Sequence, residues 1–273
     1  MASSTQAAYQ LTRDDIRAHY DDFSWVYRFY WGEHIHHGLF RTGKETAAEG
    51  QELLLRYCAQ LAGVAPRMNV ADVGCGHGGT ACFLAREYHC RVVGLTISER
   101  QFQLATEKAR ALSSPAMAEF EHADAENYPF APESVDVVWN MESWEHFFDK
   151  QRYLRKAASA LKRGGRLMLA AWTGSMQDEL VREISRAFLC PDLLSSRDCV
   201  TYIRQSGLRV LHSKEIGPKV ARTWDLCAEQ VQRARFLLSI LPQRFRAFAE
   251  GVELMREGFR SGKLNYSILV AQK

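Results

Sequence analysis

Hydrophobic and polar positions follow two rhythms along the middle of this 273-residue chain. Short apolar runs of strand length stand at VADVG (70–74), RVVGLT (91–96), AEFEHAD (118–124), SVDVVWNM (134–141) and RLMLAAW (166–172). Between them, TACFLAREY (80–88), SERQFQLATEKARAL (98–112) and DKQRYLRKAASAL (149–161) place their apolar residues at helical spacing. Strands alternating with helices of roughly ten or more residues predict an α/β fold, a parallel sheet covered on both faces. Gly164-Gly165 turns the chain into the fifth strand, and LNYSILVAQK (264–273) predicts a closing one.

The flanks read differently. From about Leu11 to Phe40 the chain is crowded with aromatics and histidines, which predicts one or two helices whose aromatic faces cover something. Helical spacing resumes from Gly43 to about Leu61 and is broken by Gly63 and Pro66. After Trp172 the rhythm loosens, and 215–262 reads largely as helix with Pro242 as a break. The expected organisation is therefore an N-terminal helical cap (1–62) and a Rossmann-like domain (63–273), with a mainly helical substrate cap inserted at about 215–262.

The central motif is VADVGCGHGG (70–79), leaving a strand and opening a helix. Glycines at such a turn let backbone approach a ligand at the switch point of the sheet. Gly74-x-Gly76-x-x-Gly79, with Cys75 inside it, satisfies the dinucleotide pattern literally, so two further residues must decide the cofactor. Asp72 lies two residues before the first glycine, where its carboxylate would repel a pyrophosphate. The second strand ends in Thr96, where a dinucleotide site expects an acid for the ribose. Both favour S-adenosylmethionine, whose ammonium and sulfonium a carboxylate helps to hold. Asp124-Ala125 ends the third strand, where a carboxylate either accepts an adenine amino group or caps the turn before Pro129. NMESWEHFF (140–148) ends the fourth and offers Glu142, Glu145 and His146, any of which could instead cap the next helix.

Composition narrows the partners. At 47% apolar and 25% charged residues the chain can bury a sizeable core, and a net charge of +3 is too mild to argue for nucleic acid. Seven cysteines without a CxxC pair read as reduced thiols. His34, His36 and His37 lack a fourth ligand at metal spacing, so no metal is expected. No run approaches the ~18 apolar residues of a membrane span, and the N-terminus lacks a signal-peptide pattern, so a cytoplasmic protein is expected. Basic residues outnumber acids between 204 and 263, which suits a solvated helical cap, a lid over an apolar or anionic acceptor, or peripheral membrane contact. Oligomeric state is not encoded in any pattern here.

DVGCGHGG, ADAENYPF and VVWNMESWEHFFDKQRYLRKAASALKRGGRL together resemble class I S-adenosylmethionine-dependent methyltransferases of small molecules. YDDFSWVYRFYWGEHIHHGLF, GLTISERQ and MREGFRSGKLNYSILVAQK resemble the tocopherol C-methyltransferases, with sterol and isoprenoid C-methyltransferases and cyclopropane fatty acid synthases as broader relatives. The resemblance covers nearly the whole chain. It implies that Asp72, Gly74 and Gly76 line the methionine and ribose portions of the cofactor, and that Thr96, Ile97 and Gln101 contact ribose and adenine. Asp124 and Ala125 would edge the adenine, Asn140 would sit beneath the methionine part, and Tyr20, His37 and Gly38 would close over the amino-acid end. Glu145 and His146 become the first catalytic candidates, with Glu142 beside them. Trp144 stands where the tocopherol enzymes usually carry a small residue, which would reshape an acceptor pocket beside it and points to a different acceptor. The leading expectation is C-methylation of a lipophilic acceptor such as a prenylated aromatic or an isoprenoid. N-methylation of a small amine and cofactor binding without catalysis stay open, and a dinucleotide oxidoreductase is the outsider.

Overall fold

The computed structural model describes residues 10–112, 114, 117–234 and 242–273. The start of the N-terminal segment and positions 235–241 of the expected cap lie outside them. Helix α1 (Arg13–Trp31) begins at a capping box in which the Thr12 side chain accepts from Asp15 N and Asp15 returns the bond. Helix α2 (Ala47–Ala62) starts on the same device, Thr46 with Glu49, and stops at Gly63 in the left-handed region (φ 65°). Of the aromatic N-terminal stretch, only α1 is helical. Residues 32–46 form an irregular strap between the two helices.

Alternation then holds as the sequence predicts: β1 (Asn69–Val73), α3 (Gly79–Tyr88), β2 (Arg91–Thr96), α4 (Glu99–Arg110), β3 (Ala118–His122), β4 (Val135–Met141), α5 (Lys150–Ala160) and β5 (Leu161–Gly174). Helices α6 (Glu179–Ala187) and α7 (Ser196–Gln205) follow, then β6 (Arg209–Glu215), the short α8 (Gly217–Val220), α9 (Arg222–Arg233), α10 (Gln243–Ser261) and β7 (Leu264–Gln272). The sheet order is β3-β2-β1-β4-β5-β7-β6. Neighbours from β3 to β5 pair in parallel, whereas β7 runs antiparallel to both β5 and β6. Sequence reading misses β6. It is an edge strand with no fully buried position, so RVLHSKE carries no continuous apolar run.

Two cores flank the sheet. Leu54, Leu55, Phe83, Trp139, Met255 and Tyr266 belong to one, which joins α2, α3 and α10. Val73, Leu95, Trp144, Tyr153 and Leu154 belong to the other, beneath α5 and α7. Leu54 and Leu55 are fully buried, and each contributes about 2 kcal/mol by leaving water. A third cluster, Phe23, Val26 and Tyr27 with Phe245, docks α1 on α10. The two caps thus meet above the carboxyl ends of β1, β4 and β5.

The strap is held from α2. Gln51 Nε2 donates to the carbonyl oxygens of Trp31 (3.3 Å), His34 (2.7 Å) and His36 (3.2 Å). Leu39 N donates to Gly50 O, and Phe40 N to Lys219 O, at 2.8 Å each.

Candidate active site

A cleft opens where β1, β2 and β4 end. Gly74, Gly76, Thr96, Ile97, Gln101, Asp124, Ala125, Glu142 and His146 line it, and Arg13, Ile16 and Tyr20 of α1 with Ile35 of the strap cover it. Gly74 has φ +74°, and a Cβ there would stand 2.2 Å from Ser143 Cβ. Only glycine fits between the two strand ends. Gly74 N and Cys75 N both donate to Leu95 O at 2.9 Å, which fixes the loop against β2. Cys75 is buried behind the cleft, and burial, helped by Asp72, pushes its thiol well up, so it stays neutral.

Asp72 and Asn140 end neighbouring strands just behind the glycine loop. Asp72 Oδ2 and Asn140 Oδ1 are both buried without a partner among the described residues. Burial raises the Asp72 carboxyl to about 7, partly offset by the Ala81 amide. Two orphaned acceptors beside a glycine turn fit a ligand that brings an ammonium group. Asn140 Nδ2 donates to Tyr153 Oη at 3.3 Å. Thr96 Oγ1 donates to Gln101 Oε1 at 2.8 Å, so these two positions act as a unit on the cleft wall.

Asp124 is engaged locally. Its oxygens accept from Glu126 N (2.9 Å) and Asn127 Nδ2 (2.5 Å), and Arg13 approaches at 3.2 Å. Glu126, which sequence reading overlooked, accepts from Phe148 N and Asp149 N and pairs with Arg13. Asp21 reaches Ser98 Oγ at 2.6 Å. Helix α1 is therefore pinned over the cleft at two points.

The cap of α5 is Asp149, whose side chain accepts from Arg152 N, so none of the three candidates at 142–146 serves there. Each has another place. His146 Nδ1 faces Leu189 O at 3.1 Å, and a carbonyl can only accept. The ring proton thus sits on Nδ1, and Nε2 accepts from the Tyr20 hydroxyl at 2.7 Å. Burial lowers His146 to about 4 and pushes the Tyr20 phenol well up, so both are neutral at pH 7.

Glu142 is a hub at φ +53°. It accepts from His37 N (2.7 Å), His37 Nδ1 (2.8 Å), Tyr266 Oη (2.8 Å) and Trp172 Nε1 (3.2 Å). Burial alone would raise its carboxyl, but His37 outweighs burial and the group stays ionised. Glu145 differs. Oε1 accepts from Trp172 N at 2.6 Å, Oε2 has no partner among the described residues, and burial raises the carboxyl to about 8. At neutral pH it is mostly the neutral acid.

Beyond Glu142 lies a second space, an aromatic chamber of about 40 Å³. Tyr20, Ile35 and Glu142 border both it and the cleft, and His19, Tyr27, Trp31, His36, His37, Trp172, Phe188 and Trp224 complete it. His36 Nδ1 donates to His37 O at 2.7 Å, leaving Nε2 buried and without a partner among the described residues. Across Trp31 opens an apolar cavity of about 430 Å³ between α1, α9 and α10, walled by Trp25, Tyr30, Phe245, Phe248 and Val252. His37 faces the chamber and Gly38 this cavity; neither reaches the cleft. Gly38 N is tied to Thr223 Oγ1 at 3.0 Å. Trp144 borders none of the three spaces. It is 1% exposed in the core beneath α5, 6.4 Å from the Tyr153 ring, so the expectation that it reshapes a pocket beside the acceptor is corrected.

Both the sequence and the fold have known relatives. Residues 8–267 match the mycolic acid cyclopropane synthetase family. The chain is 27% identical to the chloroplastic tocopherol O-methyltransferase of Arabidopsis thaliana, over 100% of this chain and 84% of that protein. It is 29% identical to 27-O-demethylrifamycin SV methyltransferase of Amycolatopsis mediterranei, over 96% of this chain and 98% of that one. Among solved structures, mycolic acid cyclopropane synthase CmaA1 complexed with SAH and CTAB has the same fold, with TM-score 0.85 at 20% identity, covering 97% of this chain and 99% of that one. Geranyl diphosphate C-methyltransferase from Streptomyces coelicolor A3(2) gives TM-score 0.74 at 21% identity, covering 95% and 97%. With the glycine turn, the orphaned acceptors behind it and the roofed cleft all in place, the chain belongs to the mycolic acid cyclopropane synthetase family and is an S-adenosylmethionine-dependent methyltransferase.

Proposed function

We propose that the methyl acceptor is a lipophilic molecule, most plainly a prenylated aromatic or isoprenoid compound methylated at carbon. Its reacting head lies where the cofactor cleft meets the aromatic chamber, and its apolar remainder reaches the cavity across Trp31. The observation that carries this reading is the sharing of walls: Tyr20, Ile35 and Glu142 border both cofactor cleft and chamber, and Trp31 borders both chamber and cavity.

The cofactor supplies a methyl group already activated on a sulfonium, so the protein has to align the acceptor and exclude water. Methylation of a ring or alkene carbon builds positive charge on the acceptor, and a proton must leave. The ionised Glu142 and the faces of Trp31, Trp172 and Trp224 surround the place where that charge develops. The Tyr20 hydroxyl already donates to His146 Nε2. It can receive the departing proton on its oxygen while passing its own to His146, a relay that leaves Tyr20 neutral and His146 charged.

The test is to incubate the protein with methyl-labelled S-adenosylmethionine and an extract of its source cells, then partition the products. Label in the organic phase, lost with Asp72→Ala, supports the reading, and mass spectrometry with NMR of that fraction locates the methyl on carbon or on oxygen. The relatives named above include both C- and O-methyltransferases. Label confined to the aqueous phase would favour a small amine or a diphosphate and sink the lipophilic acceptor.

A further inference from the structure

Helix α1 wears two faces. Its inner face carries Phe23, Val26 and Tyr27 into the packing against α10. Its outer face leaves Trp25 at 55% and Phe29 at 79% exposure, two large apolar side chains one helical turn apart. Leaving a phenylalanine so far in water runs against the main force that folds the chain, and nearby exposed rings on a soluble protein mark a contact surface.

The position of this pair is informative. Trp25 also forms part of the wall of the large apolar cavity, with its ring 5.7 Å from Phe245. The exposed rings therefore stand at the side of the cavity that opens outward between α1 and α10. Basic side chains accompany them: Arg28 lies between the two rings in sequence, Arg246 is exposed on the first turns of α10, and Lys44 stands on the cavity rim. Of the acids nearby, Asp22 pairs with Arg244 and Glu229 with Arg233, and Glu45 keeps its charge while it accepts from the amides of Arg41 and Thr42, which leaves the three basic side chains in excess.

We propose that the outer face of α1 around Trp25, Arg28 and Phe29 seats the protein on an anionic lipid bilayer, with the mouth of the apolar cavity turned toward the acyl chains. Aromatic rings settle at the level of lipid headgroups, and basic residues beside them add attraction to anionic lipid, each worth about fivefold in partitioning. The purpose of such seating rests on the lipophilic acceptor proposed above: a molecule dissolved in the bilayer could pass into the cavity without crossing water. The chamber shares Trp31 with this cavity, and the cofactor cleft shares Tyr20, Ile35 and Glu142 with the chamber.

Co-sedimentation with vesicles of equal parts phosphatidylcholine and phosphatidylglycerol tests the proposal. Phe29 and Arg28 line none of the three internal spaces, so the Arg28→Glu/Phe29→Ser double variant keeps the site intact. Wild-type protein should pellet with these vesicles, and less so with phosphatidylcholine alone. The double variant should bind at least tenfold more weakly while S-adenosylhomocysteine raises its melting temperature as it does the parent's. Leu211→Ser, which removes an exposed side chain from the distant β6 edge, should bind like wild type. Wild-type protein left in the supernatant, or a double variant that pellets fully, overturns the proposal. So does a dimer dissolved by the same substitutions in the absence of vesicle binding, which would assign the face to self-association. These vesicles hold no acceptor, so the two readings fail separately. Vesicle binding with only water-soluble methylated product removes the lipophilic acceptor, and lipophilic product without vesicle binding removes the docking.

Discussion

The indole of Trp224 donates to His37 Nε2 at 2.6 Å, and that bond decides which nitrogen of the ring carries the proton. An indole N–H can only donate, so Nε2 must accept and Nδ1 must hold the hydrogen that faces Glu142. The chain Trp224–His37–Glu142 then continues through Tyr266 and Trp172, and it ties the strap, α9 and two sheet strands to one carboxylate. Trp224→Phe removes the indole N–H with part of its ring and leaves Nε2 buried and unpaired. We expect a loss of about 1–3 kcal/mol in denaturant unfolding. Unchanged stability would show that the bond does not hold the strap.

Glu142 and Glu145 should respond unequally to the same substitution. Glu142→Gln replaces an acceptor of four hydrogen bonds by an amide whose NH2 faces donors, at a cost of about 3 kcal/mol in unfolding and at least tenfold in turnover. Glu145→Gln replaces a neutral acid by its neutral isostere and should cost less than about 1 kcal/mol. Equal losses at both positions would contradict the assigned charge states.

The two raised carboxyls make stability depend on pH with a definite sign. Glu145 goes from an ordinary 4.5 to about 8 on folding, and Asp72 from 3.8 to about 7. Between those limits the folded state binds more protons than the unfolded chain, so these groups make stability fall as pH rises from about 4 to 8. Glu145→Gln should shallow that slope between about pH 4.5 and 7 and abolish it above about 7, leaving the part due to Asp72. A melting-temperature series across this range checks it; an unaltered slope in the variant would refute the Glu145 assignment.

Cofactor binding should carry the mirror-image signature. An ammonium group favours the ionised Asp72, so binding near neutral pH releases a proton, and affinity for S-adenosylhomocysteine rises with pH from about 6 to 7.5. Calorimetry in buffers of different ionisation enthalpy counts the proton. Asp72→Asn should abolish its release and weaken binding by at least tenfold.

Tyr20→Phe removes the hydroxyl that links the chamber to His146. Turnover should fall by about 10²–10⁴, in line with a lost proton relay, with S-adenosylhomocysteine affinity within a few-fold of wild type. A variant that turns over normally would sink the relay and leave His146 a packing residue.

How far the sequence carries this picture depends on how local each feature is. The glycine turn, Asp72 and Thr96 lie within 25 residues of one another, and the strand–turn–helix rhythm locates them without tertiary information. The seat of Glu142 could not be read that way. Its partners at 37, 172 and 266 come from the strap, β5 and β7, and nothing in their local pattern marks them as donors to one carboxylate. Trp144 misleads for the same reason: it neighbours Glu145 in sequence, yet the short turn at 144–146 sends the two side chains to opposite sides. The aromatic crowding of 11–40 did announce that something is covered, and only the structure shows that α1 covers cleft, chamber and cavity together.

The placing of β7 between β5 and β6 has a bearing on how the molecule is made. Strand β6 leaves the ribosome before β7 but pairs with nothing else in the sheet, so it must wait, edge unsatisfied, for a partner. Glu142 waits as well, because Tyr266 joins it from 124 positions downstream. Contacts of that span make folding slow and leave a long interval in which a nascent strand can find the wrong neighbour. The carboxylate that joins cleft and chamber is thus among the last groups to be satisfied, and a chain caught before β7 docks would hold a formed glycine turn beside a Glu142 still short of one donor.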